Sequence, residues 1–161
     1  MKVEKSTLKL TVNGQQKEFL VLANDRLSDV LRKEGYFGVK TGCYTGDCGT
    51  CTVLFNGDPI VCCLMLALQA QGGAVDTVEG MAVGAQLHPI QEAFLDEGAV
   101  QCGFCTPGML LSAQALIHKV PDPSKAQIQE ALSGNLCRCT GYERPIRAIQ
   151  KAARRMKEET A

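Results

Sequence analysis

The sequence predicts an α+β chain in which a small sheet with one helix precedes a wholly helical second half. Three observations indicate this division. In the first half, alternating apolar and polar residues flank two Asn–Gly turns. In the second half, apolar residues recur at helical spacing. Between the halves, "GGAVDTVEGMAVGAQ" is rich in glycine and aperiodic, which predicts two domains, residues 1–79 and 80–161.

The first half contains two predicted hairpins and two predicted helices. "TLKLTVNG" and "KEFLVL" flank the turn at Asn13–Gly14, and "TCTVLFNGDPIV" contains a second turn at Asn56–Gly57. Between them, "NDRLSDVLRKEG" predicts a short helix with Asn24 or Asp25 as its N-cap. "CLMLALQAQGG" predicts another helix, ending at Gly72. We expect the short helix to lie on a small sheet.

The second half contains four segments with helical periodicity, enough for a small bundle. They are "HPIQEAFLDEG", "TPGMLLSAQALIHK", "DPSKAQIQEALSG" and "GYERPIRAIQKAARRMKEE". Thr106 is an N-cap candidate with Pro107 at the first helical position, and Thr140 is an N-cap candidate for the last helix. Cys105 and Cys139 would then each lie one residue before a cap.

The composition excludes several classes of partner and site. Apolar residues make up 45% of the chain, charged residues 21%, and the net charge is zero, so neither a nucleic-acid nor a membrane-surface partner is indicated. No apolar run approaches the roughly 20 residues of a membrane span, and the first residues do not resemble a signal peptide. We therefore expect a cytoplasmic protein, in which disulfides are uncommon. Nine cysteines with only two histidines then indicate a metal site made of sulfur.

The first cysteine group has the spacing C-x4-C-x2-C plus a later cysteine, typical of a plant-type [2Fe–2S] ferredoxin. Its members are Cys43, Cys48, Cys51 and Cys63. Gly42, Gly46 and Gly49 would let the loop curl around a cluster with its N–H groups pointing inward. A zinc loop or buried free thiols are the alternatives, whereas the lack of histidine in the loop excludes a Rieske centre. Spacing alone does not decide between Cys62 and Cys63 as the fourth ligand.

The second cysteine group consists of two close pairs. These are Cys102 with Cys105 in "QCGFCTPGM" and Cys137 with Cys139 in "GNLCRCTGY". A thioredoxin-like dithiol would need a βαβ context that this helical half lacks. If two helices point their N-termini at a common place, their dipoles favour one anion there, such as a [2Fe–2S] cluster. Arg138, between two of the thiols, could offset that charge or form a surface ion pair.

The order of these motifs resembles a known family. "GCYTGDCGTCTV" with Cys63, then "QCGFCTPG", then "GNLCRCTGY" is similar to the iron–sulfur subunit of the molybdenum hydroxylases, the xanthine oxidase family. The resemblance covers nearly the whole chain. It implies an N-terminal plant-ferredoxin-like β-grasp domain followed by a C-terminal four-helix bundle domain, each with one [2Fe–2S] cluster.

The same resemblance implies roles for individual residues. It places the cluster of the Cys43 group nearer the flavin and that of the Cys102 group nearer the molybdopterin. It makes Cys63, and not Cys62, the last ligand of the first group. It also implies that Gln101 contacts the pterin and that Cys139 lies close enough to pass electrons.

The resemblance further implies that catalysis takes place on partner chains. The sequence contains no dinucleotide fingerprint, phosphate loop or acid–base set, so we name no catalytic residue. Molybdopterin, in its cytosine dinucleotide form, would lie on a large subunit and FAD on a medium subunit, in a dimer of heterotrimers. The holoenzyme would hydroxylate an N-heterocycle such as xanthine or nicotinate. Alternatives are an aldehyde, CO or aromatic acyl-CoA substrate, a stand-alone ferredoxin-like carrier, or a zinc-stapled interaction module.

Overall fold

The computed structural model describes residues 4–159 of the chain. Over that range it contains five strands and five α-helices. The strands are β1 (Ser6–Val12), β2 (Gln15–Val21), β3 (Thr52–Phe55), β4 (Asp58–Val61) and β5 (Ala74–Asp76). The helices are α1 (Leu27–Lys33), α2 (Pro89–Asp96), α3 (Thr106–Lys119), α4 (Lys125–Leu132) and α5 (Glu143–Glu159). The predicted order of a mixed first half and a helical second half is confirmed.

The two predicted hairpins form as expected and lie in one sheet of order β2-β1-β5-β3-β4. Asn13 and Gly14 have φ of 49° and 76°, and Asn56 and Gly57 have φ of 51° and 87°. Two positive φ angles in succession are what a type I′ hairpin turn requires, which is why Asn–Gly is favoured there. The antiparallel register pairs Leu8 with Phe19 in the first hairpin.

Strand β5 lies within the segment that the sequence presents as an aperiodic linker. It is inserted between the hairpins, with Thr11 paired to Ala74 in parallel and Leu54 paired to Asp76 in antiparallel orientation. The backbone N–H of Asn56 donates to the carbonyl of Ala74 at 2.8 Å. Three residues are too few to show a strand period, so only the two neighbouring strands make this segment a strand.

Two predicted details of the first half are wrong. Neither Asn24 nor Asp25 is the N-cap of helix α1; that position is Arg26, whose side chain makes no capping hydrogen bond. The Asp25 carboxylate accepts instead from the backbone N–H of Leu22 at 2.8 Å. The expected helix ending at Gly72 is reduced to a single 3-10 turn, Ala67–Ala70. Local propensity therefore predicted the short helix α1 but neither its N-cap nor the shortness of the second segment.

The starts of two helices in the second half also differ from expectation. Helix α3 begins at Thr106 itself, so Thr106 is the first helical residue and not the cap. Helix α5 begins only at Glu143, after Tyr142 with φ of 67°. The hydroxyl of Thr140 is used within the preceding loop, where it accepts from the N–H of Tyr142 at 3.3 Å. Thr140 is therefore not the N-cap of α5.

Apolar side chains form two buried clusters, one under the sheet and one among the helices. The first includes Leu8, Leu10, Leu27, Leu31 and Val75, and the second includes Ile90, Phe94, Met109, Leu111, Ile128 and Ile149. Leu54 of strand β3 belongs to the helical cluster. The sheet and the helices thus share apolar packing. Phe37 and Phe104 are 61% and 46% exposed, so neither is a core residue.

The orientation of the first hairpin can be tested with two leucines. Leu10 is 1% exposed, whereas Leu20 is 64% exposed. We expect Leu10→Ala to lower the free energy of unfolding by about 2–5 kcal/mol, because it leaves a cavity in the core. Leu20→Ala should change it by less than about 0.5 kcal/mol. Urea unfolding followed by circular dichroism measures both, and equal losses would contradict the inward orientation of Leu10.

Candidate metal centres

The first cysteine group lies on the loop between α1 and β3, where backbone N–H groups point at sulfur. The N–H groups of Thr45 and Cys48 both donate to Cys43 Sγ at 3.4 Å. Cys48 Sγ lies 3.3 Å from the hydroxyl oxygen of Thr50. Hydrogen bonds from the side chain and backbone of Thr45, and then from Cys48, lower the pKa of Cys43 to about 6. The loop therefore favours a thiolate at Cys43, the form that binds metal.

The predicted loop glycines are needed for this geometry. A side chain at Gly42 would place its Cβ only 2.8 Å from Cys48 Sγ. Gly46 has φ of +87°, and Gly49 has φ of +64° with the carbonyl oxygen of Gly134 only 2.0 Å from the position of a Cβ. Positive φ and close backbone approach are both accessible to glycine at low cost. The cradle that these residues form fits a group held by the surrounding sulfurs.

The adjacent thiols of Cys62 and Cys63 have different surroundings. Cys62 is 0% exposed, and its thiol donates to the carbonyl oxygen of Cys51 at 2.9 Å. The same S–H group also lies within hydrogen-bonding reach of the Cys51 sulfur, and this interaction is the main cause that lowers the pKa of Cys51 to about 6. Burial raises the pKa of Cys63 to about 11, with further contributions from the sulfur of Cys51 and the charge of Cys43. Cys63 thus faces two other members of the group, and its sulfur accepts from the N–H of Gly46.

The second cysteine group brings together two segments that lie far apart in sequence. Cys139 Sγ lies 3.5 Å from Cys102 Sγ at the surface. Cys105 is buried and hydrogen-bonded to Cys137, and burial is the main cause that raises the pKa of Cys105 to about 12. Burial would also raise the pKa of Cys137, but hydrogen bonds, first from Thr140, lower it to about 7. The N–H of Thr140 donates to Cys137 Sγ at 3.4 Å.

In both groups the thiols are arranged two by two. The neighbouring pairs are Cys43 with Cys48, Cys51 with Cys63, Cys102 with Cys139, and Cys105 with Cys137, and Cys51 also contacts the thiol of Cys62. A [2Fe–2S] cluster takes two protein ligands on each of its irons, so this all-sulfur, pairwise donor set fits it. Within residues 4–159, no three His, Cys, Asp or Glu side chains are arranged to hold a single metal ion.

The second group opens to the surface, whereas part of the first is enclosed. Gln101, Cys102 and Cys139 are exposed. Arg138, which lies between Cys137 and Cys139 in the sequence, is exposed as well. In the first group Cys51 and Cys63 are buried. The predicted convergence of two helix N-termini occurs only in part: α3 starts directly after Cys105, but α5 starts four residues beyond Cys139.

Two residues at the second group were missed by the sequence reasoning. The hydroxyl of Tyr142 accepts from the N–H of Cys137 at 2.8 Å and donates to the carbonyl of Asn135 at 3.2 Å. The side chain of Asn135 is buried between the two cysteine groups. A tyrosine directly after Gly141 could have suggested a special loop conformation, but no local signal marks a buried asparagine.

Comparisons with known proteins agree with this arrangement. Residues 10–72 match the family model of the 2Fe-2S iron-sulfur cluster binding domain, and residues 77–150 match that of the [2Fe-2S] binding domain. The nicotinate dehydrogenase small FeS subunit of Eubacterium barkeri is 48% identical over 154 residues, covering 95% of this chain and 98% of the relative. This chain is a small iron–sulfur subunit of the molybdenum hydroxylase family.

Two further relatives support the assignment of this small subunit. The xanthine dehydrogenase iron-sulfur-binding subunit of Escherichia coli O157:H7 is 41% identical over 91% of this chain and 93% of the relative. The crystal structure of quinoline 2-oxidoreductase from Pseudomonas putida 86 matches with a TM-score of 0.92 and 42% identity, over 98% of this chain and 99% of that chain. The homologues of this small subunit are therefore subunits of oxidoreductases. In residues 4–159, no helix is both long and apolar enough to cross a membrane.

The choice between Cys62 and Cys63 can be tested directly. We expect Cys63→Ser to abolish the cluster signal of the first group, because serine removes a sulfur that faces Cys43 and Cys51. Cys62→Ser should keep that signal, because the thiol of Cys62 acts as a hydrogen-bond donor to Cys51 and a hydroxyl can also donate. Electron paramagnetic resonance of the reduced complex measures both variants. The reverse pattern would make Cys62 the ligand.

Proposed function

We propose that this small subunit carries electrons from a molybdopterin centre to FAD through two [2Fe–2S] clusters. The observation that carries the proposal is the direct contact between the two loops that hold the sets of thiols, since the backbone N–H of Leu136, next to Cys137, donates to the carbonyl of Cys48 at 2.9 Å. The proposed ligands of the first cluster are Cys43, Cys48, Cys51 and Cys63. Those of the second are Cys102, Cys105, Cys137 and Cys139.

The chain's own residues suit this task by holding thiolates and by stabilising added negative charge. When bound, a [2Fe–2S] cluster accepts and releases a single electron at a time. The N–H groups of Thr45 and Cys48 at Cys43, and of Thr140 at Cys137, are hydrogen-bond donors to sulfur. Such donors raise the reduction potential, because they stabilise the more negative state.

The direction of transfer is proposed from the family resemblance, and the exposure of the second group supports it. Gln101, Cys102 and Cys139 are exposed, which supports a contact between this face and the pterin on a partner. Gln101 would hydrogen-bond the pterin, and Cys139 would lie beside it. The first group, held by the glycine loop of Gly42, Gly46 and Gly49, would then deliver electrons towards FAD.

The partners are proposed from the same resemblance. We propose a large subunit with molybdopterin cytosine dinucleotide and a medium subunit with FAD, assembled as a dimer of heterotrimers in the cytoplasm. Relatives of nearly the same length as this chain are named as small or iron–sulfur-binding subunits, which supports separate partner chains. The exposed Phe37 and Phe104 side chains suit burial against such partners.

We also propose that residues 1–79 and 80–161 are separate domains, a plant-ferredoxin-like β-grasp and a four-helix bundle. The two buried clusters, one under the sheet and one among α2 to α5, support this division. In the second half, Arg155 donates to the carboxylate of Asp96 at 2.8 Å, and Lys151 donates to that of Glu97 at 3.1 Å. These contacts hold α5 against α2.

The assignment of ligands predicts independent losses of signal. Cys137→Ser or Cys139→Ser should remove one of two EPR signals of the reduced complex and leave the other, because each variant changes a single donor set. Visible absorption and iron content, with two iron atoms per cluster, give a second measurement. A colourless protein with stoichiometric zinc would contradict the proposal, as would loss of both signals in either variant.

For the holoenzyme we propose hydroxylation of an N-heterocycle, with oxygen from water. Support comes from relatives named for nicotinate and xanthine, and from the similar structure named for quinoline. We expect the purified complex to oxidise nicotinate- or xanthine-like substrates in a panel that also contains an aldehyde, CO and an aromatic acyl-CoA. Turnover of only the last three would contradict the proposed substrate class.

A further inference from the structure

Asn135 is a polar residue buried where the two cysteine groups meet. It is 3% exposed and lies two residues before Cys137, in the loop between α4 and α5. We infer that Asn135 is a positioning residue that holds the two cluster loops at a fixed separation and thereby sets the electronic coupling between the clusters. The inference rests on the proposed electron-transfer function and concerns a residue to which neither the motifs nor the pairing of thiols assigns a role.

The side-chain amide of Asn135 connects three parts of the chain. Its Nδ2 donates to the carbonyl oxygen of Gly49 at 3.0 Å and to the hydroxyl oxygen of Thr52 at 3.2 Å. Its Oδ1 accepts from the hydroxyl of Ser112 on α3 at 2.7 Å. The carbonyl of Gly49 can only accept a hydrogen bond, so the nitrogen of the amide has to face the first cysteine loop. Chemistry therefore fixes the orientation of this amide.

The backbone around Asn135 extends the connection to cluster ligands on both sides. The next residue, Leu136, donates its N–H to the carbonyl of Cys48 at 2.9 Å. The carbonyl of Asn135 accepts from the Tyr142 hydroxyl, and that hydroxyl accepts from the N–H of Cys137. One segment thus contacts Cys48 of the first group and also precedes Cys137 of the second.

The backbones of the two loops and of helix α3 are in close contact around Asn135. The Gly49 carbonyl oxygen lies 2.5 Å from the position that a Cβ at Gly108 would occupy, and the Gly134 carbonyl oxygen lies 2.0 Å from that of a Cβ at Gly49. Backbone therefore touches backbone on two sides of the first loop. The Gly49 carbonyl also accepts from the N–H and the hydroxyl of Thr52, so it keeps hydrogen bonds without Asn135. An oxygen in place of Nδ2 would set two acceptors against each other at that carbonyl, so the loop has to move when the Asn135 donor is replaced in this way.

A test needs variants that separate the two ends of this amide. Asn135→Asp keeps the shape and the acceptor facing Ser112 but replaces the donor that faces Gly49 and Thr52 with an oxygen. Ser112→Ala is the matched control, because it removes the other hydrogen bond of the same amide and leaves the link to the first loop. Both are made in the complete holoenzyme, with thermal unfolding measured alongside.

The deciding measurement is the magnetic interaction between the two reduced clusters, seen as splitting of their EPR signals at low temperature. We expect Asn135→Asp to reduce this splitting and slow electron transfer between the clusters, while Ser112→Ala lowers the melting temperature and leaves the splitting unchanged. An unchanged splitting in Asn135→Asp, or an equal reduction in both variants, would overturn the inference and leave Asn135 a structural residue.

Two outcomes outside this comparison are also informative. If Asn135→Asp does not assemble, Thr52→Val removes one acceptor of the same Nδ2 together with the hydroxyl's own hydrogen bond to the Gly49 carbonyl, and it should reduce the splitting in the same direction. An unchanged splitting in Thr52→Val would then overturn the inference. A wild-type complex without two cluster signals would instead contradict the proposed function, independently of the results for the Asn135 variants.

Discussion

The structure depends on a close approach of three backbone segments beside the first cysteine loop. Gly49 of that loop lies against Gly108 of helix α3 on one side and Gly134 of the following loop on the other, at distances that a Cβ would not permit. Because Gly49 and Gly108 have no Cβ, the first cysteine loop can pack directly on helix α3 and on the carbonyl of Gly134. Leu54 of strand β3 also lies in the helical core. The two cysteine groups are neighbours because of this contact.

A second constraint is the negative charge that sulfur ligands bring. Each group has N–H donors supplied by its own loop, Thr45 and Cys48 at Cys43 and Thr140 at Cys137. The groups differ in access, since the first keeps two thiols buried and the second exposes two. We propose that the exposed group faces one partner subunit and that the more enclosed group passes electrons towards another. The apolar residues exposed around the loops are consistent with burial by those partners.

Local signals in the sequence were sufficient for several elements. The hairpins at Asn13–Gly14 and Asn56–Gly57 were predicted because their turn residues need only themselves to adopt positive φ. The cysteine groups were predicted because ligand spacing within a loop is a local property. The helices of the second half were predicted from their periodicity, although the starts of α3 and α5 were displaced. Helix ends depend on which group the capping side chain actually binds, and Thr140 binds within its loop.

The sequence by itself therefore determined the kind of chain this is: a small sheet followed by helices, with two sets of thiols suited to iron–sulfur clusters. Only the tertiary structure decided that residues 74–76 form a strand, that Cys62 donates to Cys51, and that Asn135 joins the two loops. Each of these depends on a hydrogen-bond partner 11 or more residues away, up to 86 in the case of Gly49. A short window of sequence contains the donor without its acceptor, so such contacts become visible only when the chain has folded.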